Sequence, residues 1–156
     1  MATQDNNVSE SITEYVTVTI GDHLFGLPIS RVQDVFVPER LTRVPLAPAE
    51  VAGILNLRGR VVTAIDMRSR LDFGAHKPGS PVMAIGIEFK GESYGLLVDA
   101  VGEVMPLADR ERQAMPSNLD PRLARVATGV FRLEGQLLLE LDVDCVLDIR
   151  SGAAAA

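Results

Sequence analysis

Two small β-rich barrels, grown from one duplicated unit, are the fold this sequence predicts, and three observations predict it. Residues 18–35 (VTIGDHLFGLPISRVQDV) lie without a gap over residues 87–104 (IEFKGESYGLLVDAVGEV), and residues 53–71 (GILNLRGRVVTAIDMRSRL) lie over residues 129–147 (GVFRLEGQLLLELDVDCVL). Gly26 falls on Gly95, and Gly53, Leu57, Gly59, Asp66 and Leu71 fall on Gly129, Leu133, Gly135, Asp142 and Leu147. Alternation would align any two amphipathic hairpins, but it would not bring glycines and aspartates into register, so the chain is read as a true duplication. The offsets are 69 and 76, which leaves seven extra residues between the two blocks of the later copy. Many short strands with short helices at their corners favour barrels over a sandwich.

The elements follow in order. Residues 1–12 are polar and read as a disordered lead. Residues 14–20 alternate as a strand, turn at Gly21-Asp22 and return along 24–28 as a hairpin. Ser30 and Gln33 have capping-box spacing, and Ile29, Val32, Val35 and Phe36 recur at helical spacing, which predicts a short helix over 31–36. Residues 41–44 suit a short strand, and Pro48 suits the first turn of a helix over 48–55. The Asn56–Gly59 loop turns into a strand over 60–65, and Asp66 caps a helical turn over 67–71. Residues 74–81 (GAHKPGSP) form the linker between copies. The second copy predicts strands over 82–89 and 93–98, a short helix over 99–103, and an irregular stretch over 105–121 that ends in an Asp120-Pro121 helical turn. Strands over 127–133 and 136–141 follow, with Asp142 capping 143–148. The expected organisation is one domain over 13–150, with a first barrel over 14–73, a second over 82–148, and a flexible tail over 151–156.

Composition removes whole classes of function. The formal charge is −6 with no local basic cluster, which disfavours nucleic acid and anionic membrane surfaces as partners. No apolar run approaches the length of a bilayer span, and no signal peptide is visible, so a cytoplasmic protein without direct membrane insertion is expected. Cys145 is the only cysteine and has apolar or acidic neighbours, so a buried structural thiol is expected rather than a nucleophile. His23 and His76 lie at a turn and in the linker and are expected to be solvated. There is no zinc, phosphate-loop, nucleophile-elbow or dinucleotide motif, and the serines lack an orienting histidine. No catalytic residue, metal ligand or cofactor is expected, and the chain reads as a non-enzyme.

A protein without chemistry of its own acts by holding others, and three stretches are candidates. The first is residues 30–36, where Val32 and Val35 flank Asp34; by the residues alone, core valines and a solvated aspartate are the favoured reading. The second is Asn56-Leu57-Arg58-Gly59. Its duplicate keeps the Leu and Gly as turn architecture but lacks the Asn and Arg, so Arg58 is either an ordinary turn residue or an interface fork. The third, residues 98–104, duplicates the first with Gly102 in place of Gln33.

These stretches, in this order and with the closing TGVFRLEGQLLLELDV, resemble the CheW family of chemotaxis coupling proteins over residues 14–148. The resemblance implies a mainly β fold of two pseudo-symmetric, SH3-like, five-stranded barrels around a hydrophobic seam. It also implies a non-catalytic scaffold that couples methyl-accepting chemoreceptors to the histidine kinase CheA in bacterial signal transduction. Partners would be the regulatory domain of CheA and the cytoplasmic tip of the receptor, and the coupler would be a monomer when free. Val32, Asp34, Val35, Gly53, Asn56, Leu57, Arg58 and Gly59 would serve the first barrel's partner-binding surface, and Val98, Asp99, Val101, Val104 and Gly129 the second barrel and its groove. Asp34 stands where the family commonly has glutamate, which shortens the reach toward a cation, and Thr63 stands where proline is common.

The same module serves other chemosensory pathways and receiver-bearing coupling proteins. The chain ends near Ile149 without a phospho-acceptor, ATP-binding or receiver domain, so a free-standing coupler is expected. A small hydrolase or ligand-binding barrel would need convergent polar groups that the sequence does not offer.

Overall fold

A computed structural model describes residues 11–74, 77 and 79–148. Ten strands form: β1 (Ile12–Ile20), β2 (His23–Pro28), β3 (Val32–Phe36), β4 (Val51–Leu57), β5 (Arg60–Asp66), β6 (Met83–Phe89), β7 (Glu92–Val98), β8 (Ala100–Ala108), β9 (Ala127–Leu133) and β10 (Gln136–Leu141). Three short helices accompany them: α1 (Met67–Arg70), α2 (Pro121–Ala124) and α3 (Val143–Leu147). Each half therefore has five strands in one order, and α1 and α3 close the two repeats.

The hairpins form where the sequence places them. Asp66 accepts from the amides of Arg68 and Ser69 to start α1, Asp142 accepts from Cys145 to start α3, and Asp120 caps α2 ahead of Pro121. Three predicted corner helices are strands instead. Residues 32–36 form β3 after a single 3-10 turn at Ile29–Arg31, with no side-chain cap from Ser30. Residues 51–55 belong to β4, and 100–103 to β8, which also takes the first part of the expected irregular stretch. The reason is pairing. Val32–Phe36 lies antiparallel to β6, and β-branched residues on a pleated edge gain more from that ladder than from one helical turn. The expected strand over 41–44 is reduced to one bridge, Thr42 to Ile54.

The barrels do not coincide with the repeats. One sheet has the order β3-β6-β7-β5-β4, and so occupies the continuous stretch from Val32 to Val98. The other has the order β8-β1-β2-β10-β9, assembled from both ends of the described chain. The boundaries expected at 14–73 and 82–148 are corrected accordingly, and the stretch 74–81 falls in sequence between two strands of the contiguous sheet, β5 and β6, rather than between barrels. Two parallel pairings, β2 with β10 and β5 with β7, knit the repeats together. Of the expected lead over 1–12, residues 1–10 lie outside the described residues, whereas Ile12 opens β1; the tail over 151–156 also lies outside them.

Each sheet curls in SH3-like fashion without its ladder closing. Alternation along β1 sends Val16, Val18 and Ile20 into a core shared by both sheets, where they meet Ile85, Ile87, Met67, Leu71, Val143, Val146 and Leu147. Tyr15 points the other way, into the split sheet's interior with Leu107, Phe131 and Leu138. The contiguous sheet's interior holds Leu55, Val62, Ala64, Ala84 and Leu97. The hydrophobic seam is thus the largest of three cores.

Candidate partner-binding surface

The β4–β5 hairpin turns on two residues. Arg58 and Gly59 have φ of 53° and 83°, the left-handed pair that a tight twisted hairpin demands, and Asn56 Oδ1 accepts from the Gly59 amide at 2.9 Å. Leu57 packs into the barrel interior while Arg58 projects outward, its side chain 81% exposed. Its guanidinium stands 3.7 Å from the Asp34 carboxylate on β3. Because β3 and β4 are opposite edges of one sheet, this contact spans the gap where the ladder fails to close. Asp34 lies opposite Gly86 of β6, and a Cβ at Gly86 would run into the Asp34 carboxylate oxygen. The shorter aspartate arm leaves the pair ionic, beyond hydrogen-bond length.

Between β3 and β4 the chain crosses the open edge as a strap. Thr42 and Ile54 exchange amide–carbonyl bonds of 2.8 and 2.7 Å, and Gly53 lies directly under the Thr42 carbonyl, where no side chain fits. The strap and its surroundings expose Val35, Val37, Leu41, Val44, Leu46 and Val61, with Val61 65% exposed. A groove of about 620 Å³ runs between the strap and β4–β5, lined by Glu39, Arg40, Thr42, Ile54, Asn56 and Val61. Exposed apolar side chains on this scale mark a surface that meets another macromolecule. Sequence reasoning named Val35 but missed the other five. The available signal was Val37, Leu41, Val44 and Leu46 spread among Pro38, Pro45 and Pro48 with no strand or helix to bury them.

The second copy presents a plainer edge. Val104 on β8, the duplicate of Val35, is 45% exposed against 41% for Val35. Val101 and Val32 are half-buried against the shared core. Asp99, at the corner between β7 and β8, accepts from the Gly21 amide at 2.8 Å and from Arg68 twice at 3.1 Å, which makes it a fastener. Gly53, Val98 and Gly129 are buried; Gly129 lies beneath the Arg112 side chain.

The sequence reading also missed a buried ionic network in the split sheet. Glu140 accepts from Arg112 at 2.7 and 3.1 Å, from the Tyr15 hydroxyl at 2.8 Å and from the Thr128 hydroxyl at 2.8 Å. Burial pushes the Glu140 carboxyl up, but the bonds from Arg112, Tyr15 and Thr128 outweigh it and hold the group below the ordinary carboxylate value. Burial and the Glu140 bond push the Tyr15 phenol up to about 12, and the Glu140 bond likewise raises Arg112. Every charge is satisfied, so the network fastens rather than reacts.

Cys145 is half-buried rather than buried, its Sγ 3.1 Å from the Arg125 carbonyl. His23 is half-buried and lies against Phe73 with ring centroids 5.4 Å apart, while His76 lies outside the described residues. Among the described residues, no group of His, Cys, Asp and Glu could hold a metal ion, and no helix is long and apolar enough to cross a membrane.

Comparison with known proteins agrees with this geometry. The CheW-like domain model matches residues 14–151. The chain is 32% identical over 142 residues to the chemotaxis protein CheW of Rhizobium meliloti (strain 1021), covering 91% of this chain and 92% of that one. It is 25% identical over 148 residues to the chemotaxis protein CheW of Klebsiella aerogenes, covering 94% and 89%. The crystal structure of the scaffolding protein TtCheW from Thermoanaerobacter tengcongensis superposes with a TM-score of 0.79 at 25% identity, covering 88% of this chain and 94% of that one.

Proposed function

The chain belongs to the CheW-like domain family, the coupling adaptors of chemotaxis, and from that premise we propose that it works without catalysis, in the cytoplasm, by holding two macromolecules in fixed geometry. The contiguous sheet takes the regulatory domain of a CheA-type histidine kinase or the cytoplasmic tip of a chemoreceptor, and the β8 edge with the flank of the seam takes the other. Arg58, Asp34 and Asn56 supply the polar part of the first face, and Val35 and the strap valines supply its apolar part. Val32, Val101 and Val104 border the second.

The observation that carries this reading is the exposed Arg58, paired with Asp34, close to a groove of mixed polar and apolar lining and to the exposed aliphatic side chains of the strap, a pattern suited to an interface with an arginine anchor. Each face is small, and recruitment to a membrane-associated array would strengthen through multivalency. Capture of the kinase's regulatory domain, with and without a receptor fragment, tests it. Arg58→Ala should weaken capture at least tenfold while the thermal midpoint stays within a few degrees of the parent, because an exposed pair contributes at most about 1 kcal/mol to stability. Undiminished capture would remove Arg58 from the interface.

A further inference from the structure

The two repeats are joined to each other by as many ladders as they hold within themselves. Within the first repeat only β1–β2 and β4–β5 pair, and within the second only β6–β7 and β9–β10; the other four ladders, β1–β8, β2–β10, β3–β6 and β5–β7, join one repeat to the other. One connection, residues 72–82, links the halves covalently, and none of its described residues enters a ladder.

Three polar contacts across this junction share one pattern of sign. Arg68 on α1 grips Asp99 at the β7–β8 corner at 3.1 Å, and Arg31 at the β2–β3 corner grips Asp144 on α3 at 2.9 Å. These pairs occupy matching places, one residue off the repeat register, with the charges exchanged between helix and corner. Near the pseudo-symmetry axis, Arg70 donates to the carbonyls of Cys145 and Val146 at 3.0 Å, and Val146 is its own duplicate. In these three contacts the cation lies on the first repeat and its acceptor on the second, whereas Arg112 of the second repeat donates to the Tyr15 hydroxyl of the first. Two first repeats brought together would set Arg68 against Arg31 and Arg70 against Arg70, and two second repeats would set Asp99 against Asp144.

We propose that a second copy of this chain can supply the missing half, giving a strand-exchanged dimer in which each first repeat pairs only with the second repeat of the other copy. Every ladder and ion pair is retained in the exchange, and only the connection between Phe73 and Val82, which themselves pack on the cores, takes a new course. The balance then depends on the effective concentration that this connection gives the attached half, on the order of 1 mM for a short linker. Like-signed residues at the junction exclude the two self-pairings. Release from denaturant should accordingly give about 2% dimer at ~10 µM chain and about 50% at ~1 mM.

The test refolds the full chain carrying Thr19→Cys and Ala100→Cys, which face each other across β1 and β8, with Cys145→Ser to remove the native thiol. Dimer is separated by size exclusion, oxidised and run without reductant. Exchange predicts a dimer that survives dilution for hours and is covalently linked between chains, beside a monomer linked only internally. As a second measurement, Thr19→Cys chains mixed with Ala100→Cys chains before refolding should yield cross-linked heterodimer. A dimer that falls apart on dilution with only internal links, or monomer alone at 1 mM, would overturn the proposal. Cross-links between two Thr19→Cys chains would overturn its directionality. Should the double variant fail to refold, the mixed single variants decide between exchange and monomer by themselves.

Discussion

The split and contiguous sheets solve the same closure problem with opposite chemistry. In each, a strap crosses the open edge and pairs with the strand beneath it, Gln113 to Val130 in one and Thr42 to Ile54 in the other. In each, a glycine makes room, Gly129 or Gly53. In the split sheet Arg112 reaches through to Glu140 and Tyr15, and the Thr128 hydroxyl donates to the same Glu140 carboxylate. The matching positions in the contiguous sheet are Leu41, Ala64, Ala84 and Ala52. One strap is fastened by a saturated ionic network, and the other rests on aliphatic contact and leaves Val37, Leu41, Val44 and Leu46 exposed. The same architecture is thus closed by charge in one sheet and by aliphatic contact in the other.

The sharpest way to break this contrast is Arg112→Ala. It strands a carboxylate that is only 12% exposed, and loss of one partner from such a pair costs about 3 kcal/mol. The melt should fall by about 6–12 °C in a chain of this size, read by circular dichroism. Leu41→Ala, its counterpart, should cost about 1 kcal/mol because Leu41 is already 38% exposed. Importing the apolar solution whole, as Arg112→Leu with Glu140→Ala, should recover most of the loss, since apolar replacement of a buried pair is often neutral.

Next come the glycines. Gly53→Ala meets the Thr42 backbone and should cost about 2 kcal/mol, whereas Gly129→Ala meets the flexible Arg112 side chain at 2.8 Å and should cost about half as much. Equal penalties in urea unfolding would show that the two straps are held alike.

Titration sharpens the comparison further. Glu140 is held below its ordinary 4.5 in the folded chain, so its contribution is complete above that pH and is lost as the pH falls through the folded value. Tyr15 is raised from 10.0 to about 12, so its contribution is complete below pH 10 and is lost as the pH climbs toward 12. Glu140→Gln should flatten the acid limb of the midpoint–pH curve and Tyr15→Phe the alkaline limb. The smallest effect belongs to Asp34→Ala: a melt within a few degrees of the parent, with loss of partner capture as its only large consequence.

Much of this was legible in the chain. Hairpins announced themselves through Gly21, Gly59, Gly91 and Gly135, and helical turns through Asp66, Asp120 and Asp142, because turn and cap chemistry are local. The corners were misread because Ile29, Val32, Val35 and Phe36 fit a helical stripe as well as a 3-10 turn running into a strand, and only β6 decides between them. Sheet membership was not legible at all. Nothing in the alternation of β2 or β5 says that its parallel partner lies in the other repeat. Of the candidate surface, Arg58, Asn56, Val35 and Val104 emerge exposed, whereas Val98 and Gly129 carry family-like patterning for reasons of packing.

The backbone passes between the sheets at two places, Ile29–Arg31 and Asp99, and an arginine–aspartate pair clamps each passage. A single passage would act as a swivel; a doubled one abolishes it. The angle between the two outward faces is therefore settled as the polypeptide folds and not when its neighbours arrive. Any extended assembly tiled from such pieces takes its curvature from the subunit itself.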